Sequence, residues 1–159
     1  MGFDLHGMNP VIREGKEPKR PDDLWNLSEK KREKYFEKRW AHEENNPGVY
    51  FRNNCWWWRS LWDYVCNECD DILSERDWES GHYNDGHVIS EEKAVQIGKR
   101  LNELIESGKA QTYVEAEEAN KGLKSSDEGY DWAESYPLDL DNIQRFAVFC
   151  SESGGFQIS

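Results

Sequence analysis

Two cysteines and two histidines recur at the spacing Cys66-x2-Cys69-x12-His82-x4-His87. Thiolates and imidazoles in this pattern are the usual ligands of a tetrahedral structural zinc site. A glycine precedes each histidine and gives the loop the freedom to curl toward the cysteines. The spacing is compatible with a zinc site, which is one of two interpretations. In the alternative interpretation, Cys69 belongs to the apolar stripe of a helix, Cys66 is its partly buried neighbour, and the histidines serve the loop.

Three consecutive tryptophans, Trp56 to Trp58, form the second pattern that bears on chemistry. Successive residues of a helix differ by about 100°, so the three indoles cannot all face one core. An exposed indole offers a stacking surface for a planar ring, arginine binds phosphate, and amides bind base edges. Backbone N–H groups at a helix start add to such an anion site. A small planar anionic ligand is therefore predicted to bind Arg52, Asn53, Asn54, Trp56, Trp57 and Arg59.

An alternative interpretation of the same segment is purely structural. Trp58 and Trp62 would then belong to the core, Trp57 would pack under a neighbouring helix, and Arg59 would pair with a carboxylate. The two interpretations are compatible, because different side chains carry them.

The loop from Gly81 to His87 is dense in hydrogen-bonding groups, and binding residues are often found in such loops. We assign His82, Asn84 and Asp85 to the same ligand site. A catalytic alternative uses His82 or His87 as general base with Asp85 as its orienting partner. No nucleophile motif, glycine-rich phosphate loop, HExxH or kinase signature accompanies it. A hydrogen-bonded turn is the simpler interpretation.

Hydrophobic periodicity predicts a mainly α (α+β) fold of four to five helices around an aromatic core. One continuous apolar stripe is formed by Trp58, Leu61, Trp62, Val65, Cys69 and Ile72. Short segments near residues 3–5, 49–51 and 156–158 are predicted to form a small sheet, and 122–136 a loop. The predicted helices span 28–44, 54–73, 90–108, 113–120 and, with Asp141 as N-cap, 141–153.

The chain has 159 residues, which predicts a single domain. Half of its 20 Lys and Arg residues lie between residues 13 and 40. We interpret 11–47 as an insertion or arm that contains a basic helix. The four cysteines, without an export signal, are predicted to be free thiols or metal ligands.

A formal net charge of −12 argues against direct binding to a nucleic-acid backbone. No apolar run approaches the ~18–20 residues of a membrane helix, and residues 1–6 lack a signal-peptide pattern. The expected location is the cytoplasm, with no membrane association.

Four motifs together resemble a known family: GFDLxGxNP at 2–10, YFRNNxWWWRxL at 50–61, GHxNDG at 81–86, and FAxF-x4-GGF at 146–156. They look like those of a family of small bacteriophage and prophage proteins. The resemblance implies a phage-type origin and a location in the host cytoplasm, and it implies no particular reaction. Small phage accessory proteins often counter host defences, some by sequestering nucleotide-derived signals.

The leading hypothesis is therefore a non-catalytic binding protein for a nucleotide-like ligand, in a phage anti-defence role and as a candidate homo-oligomer. The first alternative is an inhibitor that binds a host protein through its acidic face or as a DNA mimic, with zinc as a structural element. The second is a nucleotide-modifying hydrolase built on His82, Asp85 and His87.

Overall fold

The computed structural model describes residues 2–124 and 137–159. Within these residues the fold is mainly helical with one small antiparallel sheet, as the sequence predicts. Its elements are β1 (Gly2–Gly7), α1 (Glu29–Asn45), β2 (Tyr50–Asn54), α2 (Cys55–Glu68), α3 (Glu75–Ser80), β3 (Val88–Ile89), α4 (Glu91–Glu106), α5 (Lys109–Lys124), α6 (Leu140–Glu152) and β4 (Phe156–Ile158).

The sheet has the strand order β2-β1-β4-β3, which places β2 at one edge. Leu5 in β1 is opposite Phe51 on one side and Ile158 on the other, and all three side chains are buried. The alternation along each strand leaves Asp4 and Arg52, a cross-strand pair, outside the core. The three predicted strand segments are confirmed. The two-residue β3 was not predicted because it is too short to show any alternation.

The core is built from large rings, with the predicted stripe of α2 at its centre. Trp58 stacks on Trp62 with ring centroids 5.3 Å apart and on Phe3 at 5.5 Å. Phe146 of α6 meets Trp58 edge-on at 5.7 Å. Such offset and edge contacts add to the stabilisation from apolar burial. These contacts hold α2 and β1 in a fixed orientation relative to α6.

The region from 69 to 80 differs from the prediction. Helix α2 ends at Glu68 instead of near residue 73, and Cys69 is its C-cap. Helix α3 begins at Glu75, after a turn, and the prediction had no helix there. Its start is fixed by a capping box in which Ser74 and Asp77 bond each other's backbone N–H groups. The described residues therefore contain six α-helices, one more than the predicted range.

Two further helix boundaries also differ from those predicted. The N-cap of α6 is Asp139 and not Asp141, because the Asp139 side chain accepts from the Asn142 N–H. Helix α5 spans Lys109–Lys124, longer than the predicted 113–120. The predicted loop at 122–136 lies largely outside the described residues.

The segment before α1 is attached to the body of the protein. The Val11 N–H donates to the Glu152 carbonyl at 2.8 Å, and the Arg13 guanidinium pairs with the Glu152 carboxylate. Buried Asn46 accepts from the N–H groups of Arg13 at 2.7 Å and Glu14 at 3.0 Å. In the part of the chain described, no helix is long and apolar enough to cross a membrane.

Candidate functional site

The site begins where β2 turns into α2. Asn54 closes the strand and caps the helix, since its Oδ1 accepts from the N–H groups of Trp56 and Trp57, both at 3.1 Å. The three indoles diverge as helical geometry requires. Trp58 is fully buried, Trp57 is half-buried, and Trp56 is 52% exposed.

The first turns of α6 form the opposite wall. Asp139 caps this helix through a 2.7 Å bond from the Asn142 N–H. One turn further, the Arg145 guanidinium lies over the Phe51 ring, 5.5 Å from its centroid. The N-terminal ends of α2 and α6 therefore lie next to each other, beside the edge strand β2.

Between these walls lies a cavity of about 380 Å³, here called the β2–α6 cavity. Its lining includes Arg52, Asn53, Trp57, Asp139, Asn142 and Arg145. An adjoining groove of about 620 Å³ shares Arg52 and Arg145 and continues toward the end of α1. The combined space is large enough for a small organic ligand.

Two buried amide side chains in this cavity are unsatisfied. Asn142 is 3% exposed, and neither its Nδ2 nor its Oδ1 has a hydrogen-bond partner within the described residues. Asn53 is 8% exposed, and its Nδ2 likewise has none there. Buried polar atoms are nearly always paired, and leaving one unpaired costs about 1–3 kcal/mol. A ligand with a complementary polar edge would satisfy these atoms.

The charges around the cavity are balanced. Arg52 and Arg145 are cationic, while Asp139 and Asp141 are anionic. Arg52 also lies 3.5 Å from Asp4, which accepts a hydrogen bond from the Tyr50 hydroxyl. Burial and this bond raise the pKa of Tyr50 to about 12, so its phenol is protonated at neutral pH. Arg145 has no carboxylate partner among the described residues and is the cation best placed to meet an anion.

Four of the predicted ligand residues, Arg52, Asn53, Asn54 and Trp57, lie together in this cavity. Trp56 and Arg59 do not line it. The charge of Arg59 instead acts on His82, where it lowers the pKa against the larger influence of Asp63. These two residues therefore lie outside the lining of the β2–α6 cavity.

The predicted loop residues have structural partners instead. His82 Nε2 lies 2.7 Å from Asp63 Oδ1, and Nδ1 lies 2.9 Å from the Trp78 carbonyl oxygen. Asn84 donates to the Gly2 carbonyl at 2.9 Å, and Asp85 accepts from the His87 N–H at 3.2 Å. These contacts hold the loop against the sheet and α2.

His87 belongs to a cluster centred on buried Asp77. The Asp77 carboxylate accepts from His87 Nε2 at 2.9 Å, the Ser74 hydroxyl at 2.6 Å, and the Lys93 ammonium. Burial alone would raise the pKa of Asp77, but these donors lower it below its usual value. The Ser74 hydroxyl donates to the carboxylate and not to the imidazole, which differs from the arrangement that activates a serine nucleophile.

The four predicted zinc ligands lie in different parts of the structure, with His82 beside Asp63 and His87 beside Asp77. Cys66 and Cys69 are buried in the core, and burial raises the pKa of Cys66 well above its usual value and that of Cys69 to about 12. Zinc binds the thiolate form, which burial disfavours. No group of three or more His, Cys, Asp or Glu side chains within residues 2–124 and 137–159 is arranged to hold a metal ion. The geometry favours the structural interpretation of both pairs.

Sequence reasoning missed the half of the cavity that α6 supplies. Asn142 precedes Phe146 by four residues and Phe149 by seven, so it is a polar residue on the buried stripe of that helix. A polar residue on an otherwise apolar stripe is the sequence signal that could have identified Asn142. Nothing in the local sequence indicates that Arg145 faces β2.

Comparison of the chain with protein-family models, curated proteins and solved structures finds no match. The resemblance to phage proteins therefore stays a prediction from motifs. The function is inferred from the residues and geometry of the site.

Proposed function

We propose that this is a non-catalytic binding protein whose β2–α6 cavity holds a small planar ligand with one anionic group. A nucleoside monophosphate or a related nucleotide derivative has this chemistry. The observation that supports the proposal best is the pair of buried, unsatisfied amides, Asn53 and Asn142, in one cavity with Arg145 and Trp57.

Each part of such a ligand has a matching group. The Asn142 amide offers a donor and an acceptor, which is the complement of a base edge, and Asn53 adds a second donor. The half-buried Trp57 indole offers a surface for stacking. The guanidinium of Arg145, near the start of α6, suits the anionic group.

The balanced charge of the lining favours a singly phosphorylated ligand. Asp139 and Asp141 offset Arg52 and Arg145, so additional phosphates would meet carboxylates. Retention of such a ligand without turnover would sequester it. The resemblance to phage proteins supports a setting in the host cytoplasm, where the sequestered molecule would be a nucleotide-derived defence signal.

Native mass spectrometry of the purified protein, compared with the denatured sample, would first reveal any retained ligand and the oligomeric state. Calorimetric titration with adenosine and guanosine monophosphates and with the unphosphorylated nucleosides would then measure affinity. We expect at least one monophosphate to bind more tightly than its nucleoside, because the phosphate contacts Arg145.

The matched variants are Arg145→Ala in the cavity and Arg76→Ala on α3, an exposed arginine outside the lining. We expect Arg145→Ala and Trp57→Ala to weaken binding about tenfold or more, because each removes a contact worth about 1–3 kcal/mol. Arg76→Ala should bind normally. Equal affinity in all of these folded variants would contradict the proposal.

A further inference from the structure

A second cavity, of about 640 Å³, lies within the arm, between α1 and the segment 11–28 that precedes it, and is here called the basic cavity. Helix α1 contributes Lys31, Lys34 and Lys38, which share one helical face at spacings of three and four residues. The segment 11–28 contributes Lys16 and Lys19 from the other side.

These ammonium groups lack anionic partners. None of the five lysines forms an ion pair with a carboxylate in the described part of the chain, and Glu14 is the one acidic residue of the lining there. Like charges in close proximity repel and destabilise the arrangement unless an anion lies between them. This concentration of positive charge occurs in a protein whose formal net charge is −12.

A buried histidine in the lining supplies an independent sign of a ligand. His42 is 7% exposed, and its Nε2 has no hydrogen-bond partner within the described residues. Its Nδ1 lies 3.1 Å from Nδ2 of Asn46. Asn46 Oδ1 already accepts from two backbone N–H groups, so the atom facing His42 is the donor end of the amide.

The tautomer of His42 follows from these contacts. The Asn46 Nδ2 group donates to the carbonyl oxygens of Glu14 at 2.8 Å and His42 at 2.7 Å, and it also faces His42 Nδ1. An Nδ1–H would point at this NH2 group, so the arrangement favours the tautomer whose proton is on Nε2. The unpartnered atom is therefore an N–H donor, and an anion in the basic cavity would satisfy it.

We propose that the basic cavity binds a small molecule carrying several phosphate groups, with the five lysines and the His42 N–H as its donors. Lysine is a common phosphate ligand, and the volume falls within the range of small-molecule sites. The charge distinguishes this ligand from that of the β2–α6 cavity, where acidic residues balance the arginines. The proposal does not depend on what the β2–α6 cavity binds.

Inorganic tripolyphosphate is the probe, since it carries the charge without a base or sugar. Calorimetric titration at about 50 mM and 150 mM salt would compare the protein with Lys34→Gln/Lys38→Gln. The control, Lys30→Gln/Lys109→Gln, changes the net charge equally but alters exposed lysines outside the lining. We expect saturable binding that weakens about tenfold or more in the cavity variant and much less in the control.

Nitrogen NMR of ¹⁵N-labelled histidine provides a second readout that requires no substitution in the core. Tripolyphosphate should shift the Nε2 signal of His42 and leave that of His82, which is held by Asp63, unchanged. Absence of saturable binding, equal weakening in both variants, or an unresponsive His42 signal would each overturn the proposal.

Discussion

The charge of a single histidine, His82, is set by two acceptors. Its ring nitrogens face the Asp63 carboxylate at 2.7 Å and the Trp78 carbonyl at 2.9 Å. Because both partners accept, the doubly protonated ring is favoured, and the hydrogen bond with Asp63 is the main cause that raises the pKa of His82. The stabilisation is fully present below the unfolded pKa of about 6.5 and is lost as pH rises through the folded pKa.

Replacement of Asp63 should therefore change the titration of His82. In Asp63→Asn we expect the pKa of His82 to fall, because the negative charge is removed while the side-chain shape is kept. The measurement is an NMR titration of the histidine ring protons. Asp85→Asn is the control, because Asp85 bonds to the backbone of His87. A shift that persists without the Asp63 charge would show that another group causes it.

Asp77 is the opposite case, a buried carboxylate stabilised in its charged form. Burial opposes ionisation, but Lys93, Ser74 and His87 outweigh it and lower the pKa of Asp77. Its contribution to stability is present above the unfolded pKa of about 4 and is lost as pH falls through the lower folded value. We expect Asp77→Asn to reduce the free energy of unfolding by about 3 kcal/mol at neutral pH, because it leaves Lys93 without its partner.

Urea unfolding from pH 7 down to about pH 2 would measure this contribution, because the unfolded-state carboxyl gains its proton within that range while the folded-state carboxylate stays charged. The loss of stability with acid should be shallower in Asp77→Asn than in the unaltered protein. Asp70→Asn, at an exposed position, should leave both the stability and the acid slope unchanged. Parallel slopes in all three proteins would refute this account of Asp77.

At the scale of elements, Gly81 joins α3 to α2 through close packing. The Trp58 indole N–H donates to the Gly81 carbonyl at 2.8 Å, and a Cβ at residue 81 would lie 2.1 Å from Trp62 Nε1. This contact explains structurally why the loop motif begins with glycine. We expect Gly81→Ala to destabilise the protein by about 1–3 kcal/mol through overpacking.

Gly108, which follows α4, is the control position, because a side chain there affects the backbone conformation without causing a packing clash. Its φ is +79°, and a Cβ there would have no atom within 4 Å. Gly108→Ala should therefore cost about 1 kcal/mol from the left-handed conformation alone. Thermal or urea unfolding followed by circular dichroism would compare the two variants. A smaller loss for Gly81→Ala than for Gly108→Ala would contradict the packing argument.

A helix or strand could be predicted from the sequence only where its residues carry a local pattern. The long stripes of α2 and α4 and the alternation in β1 were visible because each repeats over several residues. The six-residue α3 is too short for periodicity, and its start depends on Ser74 and Asp77. Only the part of the candidate site that β2 and α2 supply could be predicted, for a related reason. Asn53 and Trp57 lie in one recognisable segment, whereas Asn142 and Arg145 join them only through tertiary packing of α6 against β2.

At the scale of the whole molecule, charge is distributed unevenly: residues 11–47 hold 10 Lys and Arg against 9 Asp and Glu, while the rest of the chain holds 10 against 23. The two cavities reflect this division. The β2–α6 cavity combines arginines with carboxylates, while the basic cavity concentrates lysines. A molecule organised in this way can distinguish a planar ligand with one phosphate from a ligand with several phosphates by electrostatics alone.

The basic cavity requires the segment 11–28 to lie against α1, and Asn46 is one of the residues that hold the segment there. Its side chain accepts from the N–H groups of Arg13 and Glu14 and donates to the Glu14 carbonyl at 2.8 Å. In Asn46→Ala we expect faster amide hydrogen exchange at residues 13–20 and unchanged exchange in α4 and α6. Tripolyphosphate should also bind more weakly, because Lys16 and Lys19 lose their fixed position.

Hydrogen exchange followed by mass spectrometry would test this coupling, with Asn67→Ala, at an exposed position of α2 outside the basic cavity, as control. If exchange at 13–20 stays slow in Asn46→Ala, the pairing of Arg13 with Glu152 suffices to hold the segment. If exchange rises throughout the protein, Asn46 stabilises the entire fold. Only a change confined to residues 13–20, accompanied by weaker tripolyphosphate binding, would show that Asn46 holds the segment 11–28 against α1 to complete the basic cavity.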